Sequence, residues 1–203
     1  MAGAMGDDRS KAIPLQLSWV GALCGALLLL LSDVLPVHLG FVRPGTLYIC
    51  LTEVEVAFLL FAWPAYLSAA APSPGRSLLD LGLLFLAALP LVLIAGNVSN
   101  ISAGALLQTQ AIPASLGAAT AGVYALGRRR GWRVGPWHVL GVFLVSALLP
   151  FLAFVASPSF SWGSVISPFW AVASPGLLAP VLFAGVAAVL LSASALAGKG
   201  GGA

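Results

Sequence analysis

The sequence predicts an all-α integral membrane protein with six transmembrane helices, both termini in the cytoplasm, and an outer re-entrant or interfacial helical segment between helices five and six. The composition is the first observation behind this fold class, because 60% of the 203 residues are hydrophobic and only 7% are charged. Soluble domains carry about 25% charged residues, and the mean hydropathy here is +1.05. A surface with so few charges requires lipid around it.

The length of the apolar segments is the second observation. A bilayer core needs about 20 apolar residues per helix, and six segments meet this length. They cover residues 15–35, 47–70, 78–96, 105–126, 137–156 and 177–197, with residues 1–14 and 198–203 as cytoplasmic tails. The fourth segment is the least apolar, because it contains two glutamines, a threonine and a proline within residues 108–113.

The distribution of positive charge predicts the orientation. Cytoplasmic loops carry an excess of Lys and Arg, and six spans place eight of the nine basic residues on one side. These eight are Arg9, Lys11, Arg76, Arg128, Arg129, Arg130, Arg133 and Lys199, whereas only Arg43 falls on the other side. We therefore predict a multi-pass protein of a bacterial inner membrane with both ends inside.

A polar turn, APSPGRS at residues 71–77, separates the second and third apolar segments. Pro and Gly break helices, so we expect a tight cytoplasmic turn with Ser77 capping the third helix. Arg76 and Asp80 stand four residues apart and are expected to pair. The second cytoplasmic feature is the run Arg128–Arg133, which is typical of an anchor to anionic headgroups or a docking face for an acidic partner.

Three carboxylates are predicted near the outer side, namely Asp33 at the end of the first span and Glu53 and Glu55 at the start of the second. Intramembrane carboxylates are expensive and often functional. The i, i+2 spacing puts Glu53 and Glu55 on different helix faces, so they do not form an acid/base pair. Two readings stay open: acids that reach the interface and complement the helix dipole, or parts of an outer vestibule.

The sequence offers little chemistry for an enzyme. It contains no HExxH metal motif and no GxxxxGK[ST] phosphate loop, so ATP-driven work would need another chain. His38 and His138 fall at opposite membrane faces and are each expected to be solvated, with a single axial ligand or a proton site as the alternative for His38. Cys24 and Cys50 lie in apolar runs without a CxxC partner. We predict no catalytic residue, cofactor or metal, and the basic excess is too small to indicate nucleic acid.

The outer segment 157–176 carries no charge but contains four aromatic residues among three prolines. It is too long and apolar for a simple loop and too broken for a span. We expect two short helical pieces that meet near Ser167 and Pro168 and pack against the outer ends of the spans, because proline is suited to the first position of a helix. Phe169 and Trp170 would then lie in the interface.

The organisation resembles the permease subunits of type-2 ABC exporters, and especially the haem-exporter-like permease of cytochrome c maturation. Three stretches carry this resemblance: the turn and leucines within 67–96, the GRRRGWR loop at 127–133, and SPFW at 167–170. The resemblance implies a homodimer that moves a hydrophobic, haem-like or lipid-like substrate. It also implies a short coupling helix between spans two and three, gripped by a separate cytoplasmic ATPase around Pro74, Arg76 and Asp80.

Small-residue faces favour an alternative function. Gly21, Ala22, Gly25 and Ala26 in the first span, and several Ala and Gly residues within 114–122, would allow helices to approach closely. Such faces also suit a non-catalytic subunit that packs against other membrane subunits in a respiratory, photosynthetic or secretion complex.

Overall fold

The structure is a computed structural model that describes residues 4–31, 46–148, 151–152, 155, 167–173 and 178–197. Over these residues the elements are all helical, as the sequence predicted. They are α1 (Ala4–Leu31), α2 (Thr46–Ala70), α3 (Pro74–Val98), α4 (Ala103–Arg129), α5 (Val134–Phe143), α6 (Pro168–Ala173) and α7 (Leu178–Leu196). A π-helical turn, Leu144–Leu148, continues α5.

Several of these helices are compatible with membrane insertion. Within the described ranges, three are long and apolar enough to cross a bilayer: Leu47–Ala70, Pro74–Val98 and Leu178–Leu196. Two shorter apolar helices cover Ile13–Leu28 and Val134–Leu148. The 27-residue α4 is not among them, which agrees with its being the least apolar of the predicted spans.

The position of α4 explains its polarity. It packs against α2, α3, α5, α6 and α7, while α1 packs on the other side of α2 and α3. A helix enclosed by other helices needs no apolar face for lipid. Its hydroxyls are satisfied locally, because Thr109 Oγ1 donates to the Ala105 carbonyl at 2.7 Å and Thr120 Oγ1 donates to the Leu116 carbonyl at 2.9 Å.

Two buried indoles join helices in the core between α1, α2, α3 and α4. Trp19 Nε1 donates to the Leu84 carbonyl at 2.9 Å, and Trp63 Nε1 donates to the Gly117 carbonyl at 3.0 Å. Both side chains are fully buried. A buried indole N–H needs an acceptor, so each tryptophan fixes the height of one helix against another.

Close packing at the glycines of α4 confirms that its small residues let helices approach. A Cβ atom on Gly117 would lie 2.6 Å from Leu81 Cδ1, and one on Gly122 would lie 2.9 Å from Leu190 Cβ. On α1, by contrast, a Cβ atom on Gly21 or Gly25 would meet nothing within 4 Å. The small-residue face of α4 is therefore used inside this chain, whereas no described residue packs closely on the two glycines of α1.

Two tight turns set the ends of α3. Ser73 caps its start, with its Oγ accepting from the Arg76 N–H, and Pro74 is the first helical residue. The predicted cap at Ser77 is therefore wrong: this residue lies inside α3, where its Oγ donates to the Ser73 carbonyl at 3.1 Å. At the other end Asn100 adopts a positive φ of 55° and the Ile101 N–H reaches back to the Gly96 carbonyl, which is a Schellman-type C-cap.

The short helix α6 begins at Pro168, as predicted for the second half of the re-entrant segment. It packs against α2 and α4, where Val172 is buried beside Val56, Leu60 and Ile112. Phe169 is partly buried against the same cluster. Trp170 belongs to α6, and the first predicted piece, at 158–166, lies outside the described residues.

Candidate functional site

A buried polar seam runs between α2 and α4, formed by Tyr48, Thr52, Glu55, Thr109 and Gln110. Glu55 has no exposed surface, and its Oε2 accepts a 2.8 Å hydrogen bond from Gln110 Nε2. The residue follows the start of α2 by nine positions, about 13 Å along the helix at about 1.5 Å per residue. Of the two readings left open, the one in which Glu55 reaches the interface disagrees with this burial, and the outer vestibule stays a prediction.

The seam contains buried acceptor oxygens that are not used in hydrogen bonds among the described residues. Glu55 Oε1 and Gln110 Oε1 are buried and have no hydrogen-bond partner within the described part of the chain. Gln110 Nε2 also lies 3.4 Å from the Tyr48 phenol oxygen, which itself donates to the Leu106 carbonyl at 3.2 Å. Buried polar atoms are nearly always partnered in proteins, so two free oxygens at one place distinguish this seam from ordinary packing.

The other two predicted outer carboxylates are not part of the seam. Glu53 is half-buried, and its spacing of two residues from Glu55 points it away from that side chain. Asp33 lies outside the described residues. Of the two described outer carboxylates, only Glu55 belongs to the seam, and the Gln110 amide is its partner. Sequence reasoning missed that partner, although the unusual polarity of the fourth segment was the available signal.

Arginines of α4 hold the opposite end of the bundle together. Arg128 donates to the Leu67 carbonyl at 2.9 Å and to the Pro72 carbonyl. Arg129 donates to the Ser194 carbonyl of α7. Cationic side chains stabilise the free carbonyls at helix C-termini. Partial burial lowers the pKa of Arg128, although a guanidinium stays charged in proteins.

The predicted ion pair in the α2–α3 turn is confirmed. Arg76 Nε lies 2.9 Å from Asp80 Oδ1, and Asp80 Oδ2 accepts from the Tyr66 hydroxyl at 2.6 Å. Asp80 is only 2% exposed, so it holds the turn from inside. Only residues 71–73 separate α2 from α3, and they contain no helix of their own. Pro74 starts α3 itself rather than a separate coupling helix.

A lateral groove opens between α4, α5 and α7 beside these arginines. A cavity of about 690 Å³ is lined by the exposed Trp132, Arg133 and Trp137, which we call its mouth, and by the half-buried Val123 and Leu190. A second cavity of about 310 Å³ shares Val123, Val134 and Trp137 with the first and extends to Gly141, Ser146 and Phe183. We call the two together the lateral groove.

The chain turn at the mouth of the lateral groove is tightly determined. Gly131 has a φ of +67°, and the Trp132 N–H donates to the Gly127 carbonyl at 2.8 Å, again a Schellman-type cap. The Arg130 guanidinium then lies 5.1 Å from the centroid of the Trp132 ring. Arg130, Trp132 and Arg133 are all exposed, so the turn presents cationic and aromatic side chains together.

His138 lines the lateral groove rather than being solvated as expected. Its Nε2 lies 3.0 Å from the Leu60 carbonyl, and its ring packs edge-on against Tyr124 with a centroid distance of 5.6 Å. His38 lies outside the described residues. No group of three His, Cys, Asp or Glu side chains that could hold a metal ion occurs in the described part of the chain.

Comparisons with known proteins identify no relative, because no family model, no curated protein and no solved structure matches the sequence.

Proposed function

We propose that the chain is a multi-pass permease subunit that moves a hydrophobic, haem-like or lipid-like substrate and is driven by a separate ATPase subunit. The proposal depends on one observation, the buried seam around Glu55. Ionisable residues inside membrane helix bundles are rare and mark substrate or ion pathways. Glu55 is enclosed, and one of its two carboxylate oxygens has no hydrogen-bond partner among the described residues, which fits such a pathway.

The free-energy cost of burying a carboxylate oxygen without a hydrogen bond favours a transport role over a purely structural role. Leaving a buried polar group without a hydrogen bond costs about 1–3 kcal/mol. A subunit that only packs against neighbours would gain nothing from this cost, since an apolar pair at positions 55 and 110 would be more stable. A transporter must open and close its interior, and a seam with free acceptors can exchange partners when α2 and α4 separate.

The proposed topology has six spans with both ends in the cytoplasm. The arginine contacts support it, because they bring the start of α3, the end of α4 and the end of α7 to one end of the bundle. That end would be cytoplasmic by the excess of positive charge. The ATPase would bind there, against the outer edge of the 71–73 turn, while Arg76, Asp80 and Arg128 hold the turn from inside the bundle.

Purification of the tagged protein in mild detergent tests the proposal. A nucleotide-binding subunit should be recovered with it, and ATP hydrolysis by the complex should fall at least tenfold in Glu55→Gln. Glu53→Gln is the matched control, because the same carboxyl is removed two residues away from a half-buried position. Recovery of the protein without any nucleotide-binding subunit, or equal activity of the two variants, would contradict the proposal.

A second candidate function is a non-catalytic subunit of a larger membrane complex. The open face at Gly21 and Gly25 of α1 favours it, since a neighbouring helix could approach there closely. In that case Gly21→Leu should release the chain from its complex, whereas Glu55→Gln should leave the complex and its activity unchanged.

A further inference from the structure

We infer that the lateral groove binds an anionic phospholipid, with an acyl chain between α4, α5 and α7 and the phosphate at Arg130 and Arg133. This inference does not depend on the proposed transport function, because none of the residues that line the groove belongs to the seam. It assigns a ligand class, a phosphate-bearing amphiphile, to the lateral groove.

The inner part of the groove suits an acyl chain. Its two cavities, about 690 Å³ and 310 Å³, are neighbours that share Val123, Val134 and Trp137 in their linings. The lining beyond the mouth is mainly aliphatic and aromatic, and it continues along α4 and α5 for more than a helical turn. Among the described residues, a Cβ atom on Gly141, which lines the second cavity, would meet nothing within 4 Å, so there is room for an acyl chain at this position.

The mouth suits an anionic headgroup. Arg133 lines the groove, and Arg130 lies beside it over the ring of the lining residue Trp132. Both arginines are exposed, and no described carboxylate forms an ion pair with either of them. Trp132 and Trp137 are 59% and 73% exposed, and exposed tryptophans are characteristic of the membrane interface. Guanidinium groups bind phosphate oxygens through paired hydrogen bonds. The mouth therefore complements a phosphate in charge, and its tryptophans fit the level of the lipid headgroups in the membrane.

The chain itself offers no better occupant. The tail 198–203 contains Lys199 and no acidic residue, and residues 149–166 carry no charge at all. Neither segment would neutralise the two arginines. An acidic peptide would satisfy Arg130 and Arg133 but would leave the apolar depth of the groove empty. A phospholipid fills both parts with one molecule.

Native mass spectrometry of the full-length, delipidated protein in detergent tests the assignment. Phosphatidylglycerol should bind one molecule per chain and more tightly than phosphatidylcholine of the same acyl length. Arg130→Gln with Arg133→Gln should weaken phosphatidylglycerol about 25-fold. This corresponds to about 1 kcal/mol for each arginine near an anionic surface, at about 1.4 kcal/mol per tenfold. Arg9→Gln with Lys11→Gln removes the same charge outside the groove and should change binding less than threefold.

A second pair of variants separates the acyl chain from the headgroup. Gly141→Leu should block the groove and weaken both lipids at least tenfold, whereas Gly82→Leu, at an exposed position of α3 with equal space around it, should not. Equal affinity for the two lipids would overturn the anionic assignment. Unchanged binding in Gly141→Leu would overturn the groove as the acyl site, and displacement of the lipid by an acidic peptide would assign the mouth to a protein partner.

Discussion

Trp63 illustrates how one polar atom positions a helix in this protein. Its indole N–H bonds a carbonyl of α4 while its ring stacks on Tyr66 at a centroid distance of 5.4 Å. The residue was simply apolar in the sequence, because nothing near position 63 indicates which carbonyl it will meet. Arg76 and Asp80 were predictable since their contact is local to one helix, whereas the contact between Trp63 and Gly117 depends on how two helices pack.

Trp63→Phe tests this contact. The change removes a buried hydrogen bond, worth about 0.5–1.5 kcal/mol, and leaves some empty space. We expect the free energy of unfolding in detergent to fall by about 1–2 kcal/mol. Trp137→Phe is the control, because Trp137 is 73% exposed, and its substitution should change stability by less than about 0.5 kcal/mol. Equal effects of both substitutions would show that the indole bond contributes nothing.

The seam predicts a strong coupling between two side chains. Gln110→Leu removes the donor at 2.8 Å and leaves the enclosed carboxyl of Glu55 with no partner, at a cost of about 1–3 kcal/mol. Glu55→Leu together with Gln110→Leu should recover most of that loss, because both polar groups are gone. A double-mutant cycle of unfolding free energies measures the coupling, and strictly additive single effects would rule out the bond.

At the scale of elements, the sequence placed the helix ends well where an apolar segment gives way to polar residues. The predicted span 47–70 agrees with α2, and 177–197 agrees with α7. The start of α3 was placed four residues late, since a Ser cap followed by Pro extends a helix into residues that look like a turn. The central position of α4 could not be predicted. A hydropathy profile shows only that a polar helix is poorly suited to contact lipid, and it does not show which helices surround it.

Gly122 tests the packing of α4 against α7. A leucine there would overlap Leu190, whose Cβ lies 2.9 Å from the position of a new Cβ atom. We expect Gly122→Leu to destabilise the fold by about 1–3 kcal/mol, the usual cost of overpacking. Gly185→Leu, on α7 with nothing within 4 Å, should be neutral. Thermal unfolding in detergent compares the two, and a neutral Gly122→Leu would disprove the close contact.

At the scale of the whole molecule, the charge distribution predicts which end of the bundle faces the cytoplasm. Cysteines are introduced singly at Gly75, Gly104 and Gly135, where a side chain meets nothing within 4 Å, in a variant without Cys24 and Cys50. A membrane-impermeant maleimide added to cells should label position 104 only, and positions 75 and 135 only after the membrane is opened. External labelling of position 135 would reverse the proposed topology.

The central position of α4 has a consequence for how the protein is made. Synthesis releases α4 before α5, α6 and α7 exist, so its inner threonines and Gln110 would face lipid if it left the translocon alone. The tight turn at residues 99–102 joins it to the strongly apolar α3, and we expect the two to enter together as a hairpin. Final burial of α4 must then await α7, which covers it last.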